Sequence, residues 1–410
     1  MRDADAARSL LSAAAVRERA HEMLAAALRG ELQHFTIDLQ NLGAAASVVS
    51  ELIRVNYPDL KVPFHARWRH FALAGRDLWT ERAALTKWTS PAAKARAEFD
   101  LAITSVLLDA GAGPSWKYLD PAAEQVVARS EGLAVASLRM FEAGTFSSDP
   151  ADPLRADAER LTRLKHEEIA DGFQSMVGNR LLGVEGRADL LASLGKAVAA
   201  KPDVFAREDR ARPGGLYDYL VAQAEDGQLA APRILEAVLE QFGPIWPSRL
   251  SLGGVPLGDT WRHPAIKRTD ATNGLMPIHK LSQWLSYSLI EPLQWSGIAV
   301  TDIGGLTGLA EYRNGGLFVD SSVLRLRNPE EAIHPNPVDS VLVVEWRALT
   351  VALLDAIAAL IRERRGLSAE EFPLACVLEG GTWAAGRRLA REKRPDGSPP
   401  IAVVSDGTVF

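Results

Sequence analysis

The chain has 410 residues, which is long enough to bury a sizeable hydrophobic core. A content of 47% hydrophobic and 24% charged residues is ordinary for a globular protein and excludes general disorder. The net charge of -6 provides no basic excess for a polyanion, so we expect no nucleic-acid partner, while a small anion held by local basic groups remains open.

Cysteine and histidine usage argues against disulfides, metals and cofactors. Cys376 is the only cysteine, which excludes an intramolecular disulfide and a multi-cysteine zinc site. His65 and His70 are five residues apart with no acidic residue between them, and no H-E-x-x-H motif occurs. The acidic N terminus and the absence of a run of about 18 apolar residues predict no membrane partner and a cytoplasmic location.

Helix signals dominate the first 245 residues. Ser12 is a good N-cap for a helix that runs to Leu28, and Ser90-Pro91 combines a capping hydroxyl with proline at the first helical position. The second of these helices runs into a glycine-containing exit at 108–113, where backbone can approach a ligand closely. Asp109 at this exit is a candidate ligand contact, although an ordinary glycine cap explains the pattern equally well.

A later helix, opened by Pro277, carries polar residues on two faces. His279 and Gln283 lie one turn apart, and Lys280 stacks similarly with Trp284. Because this helix leads towards 309–320, we expect its polar residues to form a second wall of the same site.

The stretch 309–320 contains Asn314-Gly315, the dipeptide typical of a type I′ turn, between apolar-rich runs. We therefore predict a β-hairpin in which Glu311, Arg313 and Asp320 share one face, with the two carboxylates roughly 7 Å apart. The alternative is a solvated face on which the guanidinium only neutralises the acids.

Two further segments carry candidate ligand contacts. The range 339–365 predicts a long buried helix in which Glu345 and Arg347 sit among apolar residues, as an ion pair or as ligand contacts. The Gly380-Gly381 pair predicts a turn that ends in a helix N-cap at Thr382, where free N–H groups favour an anion within reach of Arg387. A plain glycine turn is the alternative. The tail from 400 to 410 is strand-like and is expected to be packed.

Together these patterns predict a mainly α, large helical single domain spanning 1–410, with possible sub-lobes 1–245 and 246–410. A few short strands, including the hairpin near 309–320, complete the fold.

Five stretches of the sequence resemble the uracil-catabolism family of the URC pyrimidine-degradation pathway. The stretches that carry the resemblance are His279-Lys280-Leu281-Ser282-Gln283-Trp284-Leu285, the segment from Glu311 to Asp320, Val344-Glu345-Trp346-Arg347-Ala348-Leu349-Thr350, Glu379-Gly380-Gly381-Thr382-Trp383-Ala384-Ala385-Gly386-Arg387 and Ser405-Asp406-Gly407-Thr408-Val409-Phe410. In the route associated with that family, uracil is first converted to its nucleotide and a cyclohydrolase-like partner opens the ring. The resemblance therefore implies a later step, on a ribosylated ureide.

We expect a hydrolase that breaks the C–N glycosidic bond of a ribosylurea, expected as its 5-phosphate, to release urea and ribose phosphate. Such reactions pass through oxocarbenium-like states and commonly need a carboxylate and a proton donor. An amidohydrolase acting on the opened ureide, or a non-catalytic partner subunit of the ring-opening enzyme, remain alternatives.

Within this hypothesis Asp320 is the expected catalytic carboxylate nearest the anomeric carbon, with Glu311 as the second catalytic residue. Lys280, Arg313 or the Gly380 turn is expected to hold the phosphate, and Asp109 or Glu345 the ribose hydroxyls. The expected substrate-binding residues are Asp109, His279, Lys280, Gln283, Trp284, Tyr312, Arg313, Glu345, Arg347, Gly380, Thr382 and Arg387, with no metal ligand.

Overall fold

The computed structural model describes residues 3–109, 111–113, 115–206, 210–246 and 249–404. The described residues are mainly helical. The α-helices are α1 (Asp3–Ser9), α2 (Ala13–Leu28), α3 (Leu42–Asn56), α4 (Leu78–Ala84), α5 (Pro91–Leu107), α6 (Arg129–Glu142), α7 (Ala158–Thr162), α8 (His166–Gly172), α9 (Val184–Ala199), α10 (Pro202–Phe205), α11 (Gly215–Val221), α12 (Ala231–Phe242), α13 (Lys280–Trp295), α14 (Tyr312–Asp320), α15 (Val341–Arg365), α16 (Leu374–Val377) and α17 (Trp383–Lys393).

The strands are short and pair only two at a time in the described ranges. They are β1 (Phe35–Ile37), β2 (Ala72–Leu73), β3 (Arg76–Asp77), β4 (Lys117–Asp120), β5 (Gln125–Ala128), β6 (Gln228–Ala230), β7 (Ser251–Leu252), β8 (Val255–Pro256), β9 (Thr260–Arg262), β10 (Leu275–Pro277), β11 (Ala299–Thr301), β12 (Leu324–Leu326), β13 (Asn336–Pro337) and β14 (Val403–Val404). Antiparallel pairs are β1–β12, β2–β3, β4–β5, β7–β8 and β9–β10, and parallel pairs are β6–β11 and β13–β14.

Local capping places the early helices where the sequence predicts them. Ser12 accepts a hydrogen bond from the backbone N–H of Ala15, and Ser90 accepts one from Ala93, at the starts of α2 and α5. Each cap satisfies a backbone donor that the first helical turn leaves free.

Helix α15 lies at the centre of the fold. Every residue from Leu342 to Leu354 is buried, which is expected of a helix surrounded by protein on all sides. It packs against α2, α3 and α14. The main cluster of buried apolar side chains runs from Ala13 to Ile401 and so includes residues on both sides of position 245.

The predicted hairpin at 309–320 is wrong, because these residues form helix α14. Both oxygens of the Glu311 side chain accept backbone N–H groups of the first turn, from Arg313 and Asn314. Gly315 then permits close packing on α15, since a Cβ there would lie 2.7 Å from Nε1 of Trp346. Tertiary packing and the cap thus outweigh the turn preference of Asn-Gly.

The predicted glycine turn at 380–382 is also wrong. Residues Leu378–Thr382 form one π-helical turn that is continuous with α16 and α17. A Cβ at Gly381 would lie 2.5 Å from Cγ1 of Val49, so the glycine serves close packing on α3. The backbone N–H groups of this turn are therefore not those of a free helix start.

The tail is strand-like as far as it is described. β14 pairs in parallel with β13, and residues 405–410, which complete the predicted strand, lie outside the described part of the chain. No helix among the described residues has both the length and the apolar character needed to cross a bilayer.

Candidate active site

A cavity of about 480 Å³ lies where α6, α13, α14 and α17 meet, a size typical of small-molecule sites. Several elements distant in sequence contribute its walls. The lining residues are His65, His70, Asp109, Gly111, Ala112, Gly113, Arg129, Ser130, Leu133, Lys280, Trp284, Leu309, Glu311, Tyr312, Arg313, Trp383, Arg387, Asp396, Gly397, Ser398 and Pro399.

Glu311 is positioned by the start of α14. Its Oε2 accepts the N–H of Arg313 at 2.7 Å, and its Oε1 accepts the N–H of Asn314 at 2.5 Å. Burial raises the pKa of Glu311 above its ordinary value, against the opposing effect of these hydrogen bonds. These two hydrogen bonds hold the carboxylate in one orientation. A carboxylate has about four acceptor positions, so Glu311 can still accept hydrogen bonds from a ligand.

Lys280 and Trp284 occupy one face at the start of α13. The Nζ of Lys280 lies 6.0 Å from the centre of the Trp284 ring, and the guanidinium carbon of Arg67 lies 5.4 Å from it. Burial lowers the pKa of Lys280, while the charge of Glu311 opposes that shift. The indole is thus a flat apolar surface with two cationic groups nearby.

His65 forms a carboxylate–imidazole pair on the cavity wall. Its Nδ1 lies 2.7 Å from Oε2 of Glu379, and both side chains are largely buried. Burial raises the pKa of Glu379, but the hydrogen bond and charge of His65 outweigh it and hold that pKa below its ordinary value. The ring of His65 stacks on Trp284 with the two planes 24° apart. The carboxylate therefore fixes the orientation of the imidazole.

His70 is held neutral. Burial, and then the charge of Arg67, lower the pKa of His70 to about 3. Its Nδ1 lies 3.5 Å from Nη1 of Arg67, and because a guanidinium only donates hydrogen bonds, Nδ1 must accept. The ring proton is therefore assigned to Nε2, which makes His70 a neutral hydrogen-bond donor.

Asp109 is held by a buried network. Arg67 is fully buried and its Nη1 lies 2.8 Å from Oδ2 of Asp109. The hydroxyl of Ser130 donates to the same oxygen. Asp109 thus lines the cavity as expected, with an ion pair that fixes its position.

Three arginines, here called the arginine wall, line another part of the cavity: Arg129, Arg313 and Arg387. The Nη1 of Arg313 donates to the carbonyl oxygen of Gly397 at 2.8 Å, and its guanidinium lies over the Tyr312 ring. Arg387 lies over Trp383, with the guanidinium carbon 5.3 Å from the ring centre.

Asp320, the expected catalytic carboxylate, lies outside the cavity lining, so that prediction is wrong. It ends α14, and its two oxygens accept hydrogen bonds from Nη1 and Nη2 of Arg394 at 2.8 and 2.6 Å. The hairpin that would have placed it beside Glu311 does not exist. The two carboxylates instead lie at opposite ends of one helix.

His279, Gln283 and Arg347 also lie outside the cavity lining, in the packing around α13. His279 is buried with Nε2 2.9 Å from the carbonyl oxygen of Leu10, and Gln283 exchanges hydrogen bonds with Thr307. Arg347 forms two hydrogen bonds to Asp259. Burial raises the pKa of Asp259, but the guanidinium outweighs it and holds the value at about 2.

Glu345, Gly380 and Thr382 are placed away from the cavity lining as well. The Glu345 oxygens accept the backbone N–H groups of Gln33 and His34 at 3.0 and 3.1 Å, so this acid fastens the loop before β1. Gly380 and Thr382 belong to the π-helical turn and are buried.

Of the expected residues, the cavity brings together Asp109, Lys280, Trp284, Glu311, Tyr312, Arg313 and Arg387. Sequence reasoning missed His65 and His70 as ligand contacts, since their spacing was weighed only for a metal. It also missed Arg129, whose left-handed φ of 57° has no sequence signal in a non-glycine residue. Among the described residues no group of three or more His, Cys, Asp or Glu side chains could hold a metal ion.

The sequence is similar to known proteins along nearly its whole length. It is 38% identical over 411 residues to "Protein urg3" of Schizosaccharomyces pombe, covering 98% of each chain. It is 35% identical over 416 residues to "Uracil catabolism protein 4" of Lachancea kluyveri, covering 93% of each chain. The family described as "Protein of unknown function (DUF1688)" matches residues 9–410. The chain therefore belongs to the DUF1688 family.

Proposed function

We propose that this protein acts in uracil catabolism as a hydrolase of the C–N glycosidic bond in a ribosylated ureide, from which it releases urea. The name of the relative from Lachancea kluyveri supports the pathway. The observation that carries the reaction is the set of groups around one ligand-sized cavity: the oriented carboxylate of Glu311 together with the His65–Glu379 pair and neutral His70.

Glu311 acts on the sugar. As the C–N bond lengthens, positive charge develops at the anomeric carbon and ring oxygen, and a nearby carboxylate lowers the energy of that state. The two backbone N–H bonds keep the carboxylate oriented before the reaction begins. No reorganisation of the group is then needed in the transition state.

The two histidines act on water and on the leaving group. Glu379 orients His65 so that Nε2 can take a proton from the attacking water. His70 donates its Nε2–H to the urea oxygen as a neutral imidazole, a role that a low pKa favours. Water adds its hydroxyl to the anomeric carbon, and its proton passes through His65 to the departing nitrogen, so the products are the free sugar and urea.

The aromatic residues shape the site for such a substrate. Trp284, Tyr312 and Trp383 line the cavity, and a planar ureide and a sugar ring both pack well against aromatic side chains. Asp109, fixed by Arg67, is placed to accept hydrogen bonds from ribose hydroxyls.

Incubation of the purified protein with ribosylurea and with its 5-phosphate tests the proposal. Mass spectrometry should detect urea and ribose or ribose phosphate in equal amounts, and ¹⁸O from labelled water should appear in the sugar. Ammonia release with the sugar still attached would instead indicate an amidohydrolase. A protein that cleaves neither compound, yet binds the ring-opening enzyme on size-exclusion chromatography, would be a partner subunit, and either result overturns the proposal.

A further inference from the structure

The arginine wall meets the start of α6 in the same part of the cavity. Arg129 and Ser130, the first two residues of that helix, both line the cavity. The N-cap residue Ala128 provides no side-chain hydrogen bond. The first N–H groups of a helix without such a cap favour an anion, through direct hydrogen bonds and through the helix dipole.

Arg129 has no carboxylate to balance its charge among the described residues. Burial is the largest cause that lowers the pKa of Arg129, and the charges of Arg313, Arg387 and Arg391 lower it further, while Tyr312 acts in the opposite direction. Like charges held together at close range raise the free energy of the empty site. A bound anion recovers that free energy.

The other two members of the arginine wall keep donors available. Arg313 is only 4% exposed; its Nη1 donates to the neutral carbonyl oxygen of Gly397, and a further side-chain hydrogen bond joins it to Tyr312. Arg387 pairs with Glu131 through Nη1, but its Nε finds no hydrogen-bond partner within the described residues. Planar guanidinium groups of this kind match the geometry of phosphate oxygens.

The three acids that line the cavity each have a hydrogen-bond or ion-pair partner outside the arginine wall or in the backbone. Asp109 is paired with Arg67, and Asp396 accepts the backbone N–H of Ser398 at 3.0 Å. Glu311 accepts the two N–H groups at the start of α14. The cavity thus has a cationic part at the arginine wall, and Glu311 adds a carboxylate on which the charges of Lys280 and Arg313 act.

We propose that the arginine wall and the N terminus of α6 form a binding site for the phosphate group of a phosphorylated sugar. This deepens the proposed function, because it makes the 5-phosphorylated ureide, rather than the free ribosyl ureide, the substrate. The anion site itself is independent of which bond is cleaved. The phosphate at the arginine wall anchors the sugar, whose anomeric carbon then faces Glu311.

Isothermal titration calorimetry of the full chain with inorganic phosphate, ribose, ribose 5-phosphate and uridine monophosphate tests the site. We expect ribose 5-phosphate to bind at least tenfold more tightly than ribose, and inorganic phosphate to compete with it. Binding should weaken as salt concentration rises, because the interaction is electrostatic. Tighter binding of the nucleotide than of the sugar phosphate would identify the phosphate source as a nucleoside monophosphate and still support the site.

Arg129→Gln and Arg387→Gln should each weaken binding of ribose 5-phosphate by about 10- to 100-fold, the range expected when a hydrogen bond to a charged group is lost. Arg163→Gln is the matched control, since Arg163 is an exposed arginine paired with Glu159 on the surface. Thermal melting of each variant checks that the fold is retained. Equal binding of ribose and ribose 5-phosphate by the wild type, or equal effects of Arg129→Gln and Arg163→Gln, would overturn the proposal.

The binding experiment separates this inference from the proposed reaction. If ribose 5-phosphate binds through the arginine wall but no ureide is cleaved, the anion site stands and the reaction fails. If free ribosylurea is cleaved as fast as its 5-phosphate and the arginine substitutions have no effect, the reaction stands and the anion site fails.

Discussion

The two ends of α14 offer a test of which carboxylate acts in the reaction. Glu311 begins the helix and lines the cavity, whereas Asp320 ends it and pairs with Arg394. Exchange of each acid for its amide changes the charge equally on the same element. We expect Glu311→Gln to reduce turnover with little effect on stability, and Asp320→Asn to do the reverse.

The effects of Glu311→Gln follow from its contacts. Loss of a preorganised charge that stabilises the transition state typically reduces kcat by 10²–10³, or about 2.7–4 kcal/mol. The amide keeps one acceptor oxygen and so loses one of two capping bonds, worth about 1 kcal/mol. Since burial raises the pKa of Glu311, removal of its charge offsets part of that cost. Net stability should therefore change by less than about 1 kcal/mol.

Asp320→Asn removes one of the two hydrogen bonds that Arg394 donates, together with the negative charge that attracts its guanidinium. The aspartate side chain is 4% exposed and the arginine side chain 25%, so water relieves only part of the loss. We expect the free energy of unfolding to fall by about 1–3 kcal/mol. Turnover should remain within about threefold of wild type, because no lining residue is changed.

Urea release from the ribosyl ureide measures kcat, and denaturant unfolding measures stability for the wild type and both variants. If Glu311→Gln and the wild type bind substrate comparably, the reduced turnover of the variant arises in the chemical step. If Glu311→Gln retains more than about a tenth of wild-type turnover, a loss below roughly 1.4 kcal/mol, Glu311 is not the reacting carboxylate. A fall of 100-fold in Asp320→Asn with unchanged stability would contradict its placement outside the site.

Three further predictions follow from burial and packing. Burial raises the pKa of Glu311, and the proposed reaction uses its ionised form, so kcat/KM should fall on acidification at a higher pH than an ordinary glutamate would give. A pH profile flat to pH 4 would contradict this. Burial raises the pKa of Glu98 to about 7 from an ordinary 4.5, so the folded state keeps a proton that the unfolded state releases, and stability should fall as pH rises from 4.5 to 7, by a total on the order of 3 kcal/mol. Denaturant midpoints should show this slope reduced in Glu98→Gln, and identical slopes would refute it. A Cβ at Gly386 would collide with the carbonyl oxygen of Arg313, so Gly386→Ala should lower the free energy of unfolding by about 1–3 kcal/mol or more. The control Gly186→Ala, in a helix with open space around it, should raise it by up to about 1 kcal/mol, and equal effects would show that the contact does not matter.

Local sequence signals determined the capped helices. Ser12 and the pair Ser90-Pro91 start α2 and α5 as predicted, because a cap needs only groups within one helical turn. The long buried helix was also predicted, and it runs from Val341 to Arg365. Similarity along the whole chain likewise placed the protein in its family.

Tertiary contacts decided the conformation of 309–320. Asn314-Gly315 favours a hairpin locally, but Glu311 caps a helix there and Gly315 packs against Trp346 of α15. The indole lies 31 residues further along the chain, so no local window contains the contact that selects the helix. The same reason explains the turn wrongly predicted at Gly380, whose neighbours Ile53 and Val62 come from the other end of the chain.

Tertiary structure also decided which polar residues form the cavity. Sequence identified Lys280 and Trp284 on a predicted helix, and Glu311 on a wrongly predicted hairpin, as candidate ligand contacts. It could not show that His65 and Arg129 line the same cavity. Those residues lie more than 150 positions away in the sequence, and only the tertiary fold brings them together. Nor could it separate Glu311 from Asp320: the two acids share one helix, and their roles differ only because one end of that helix faces the cavity and the other faces Arg394.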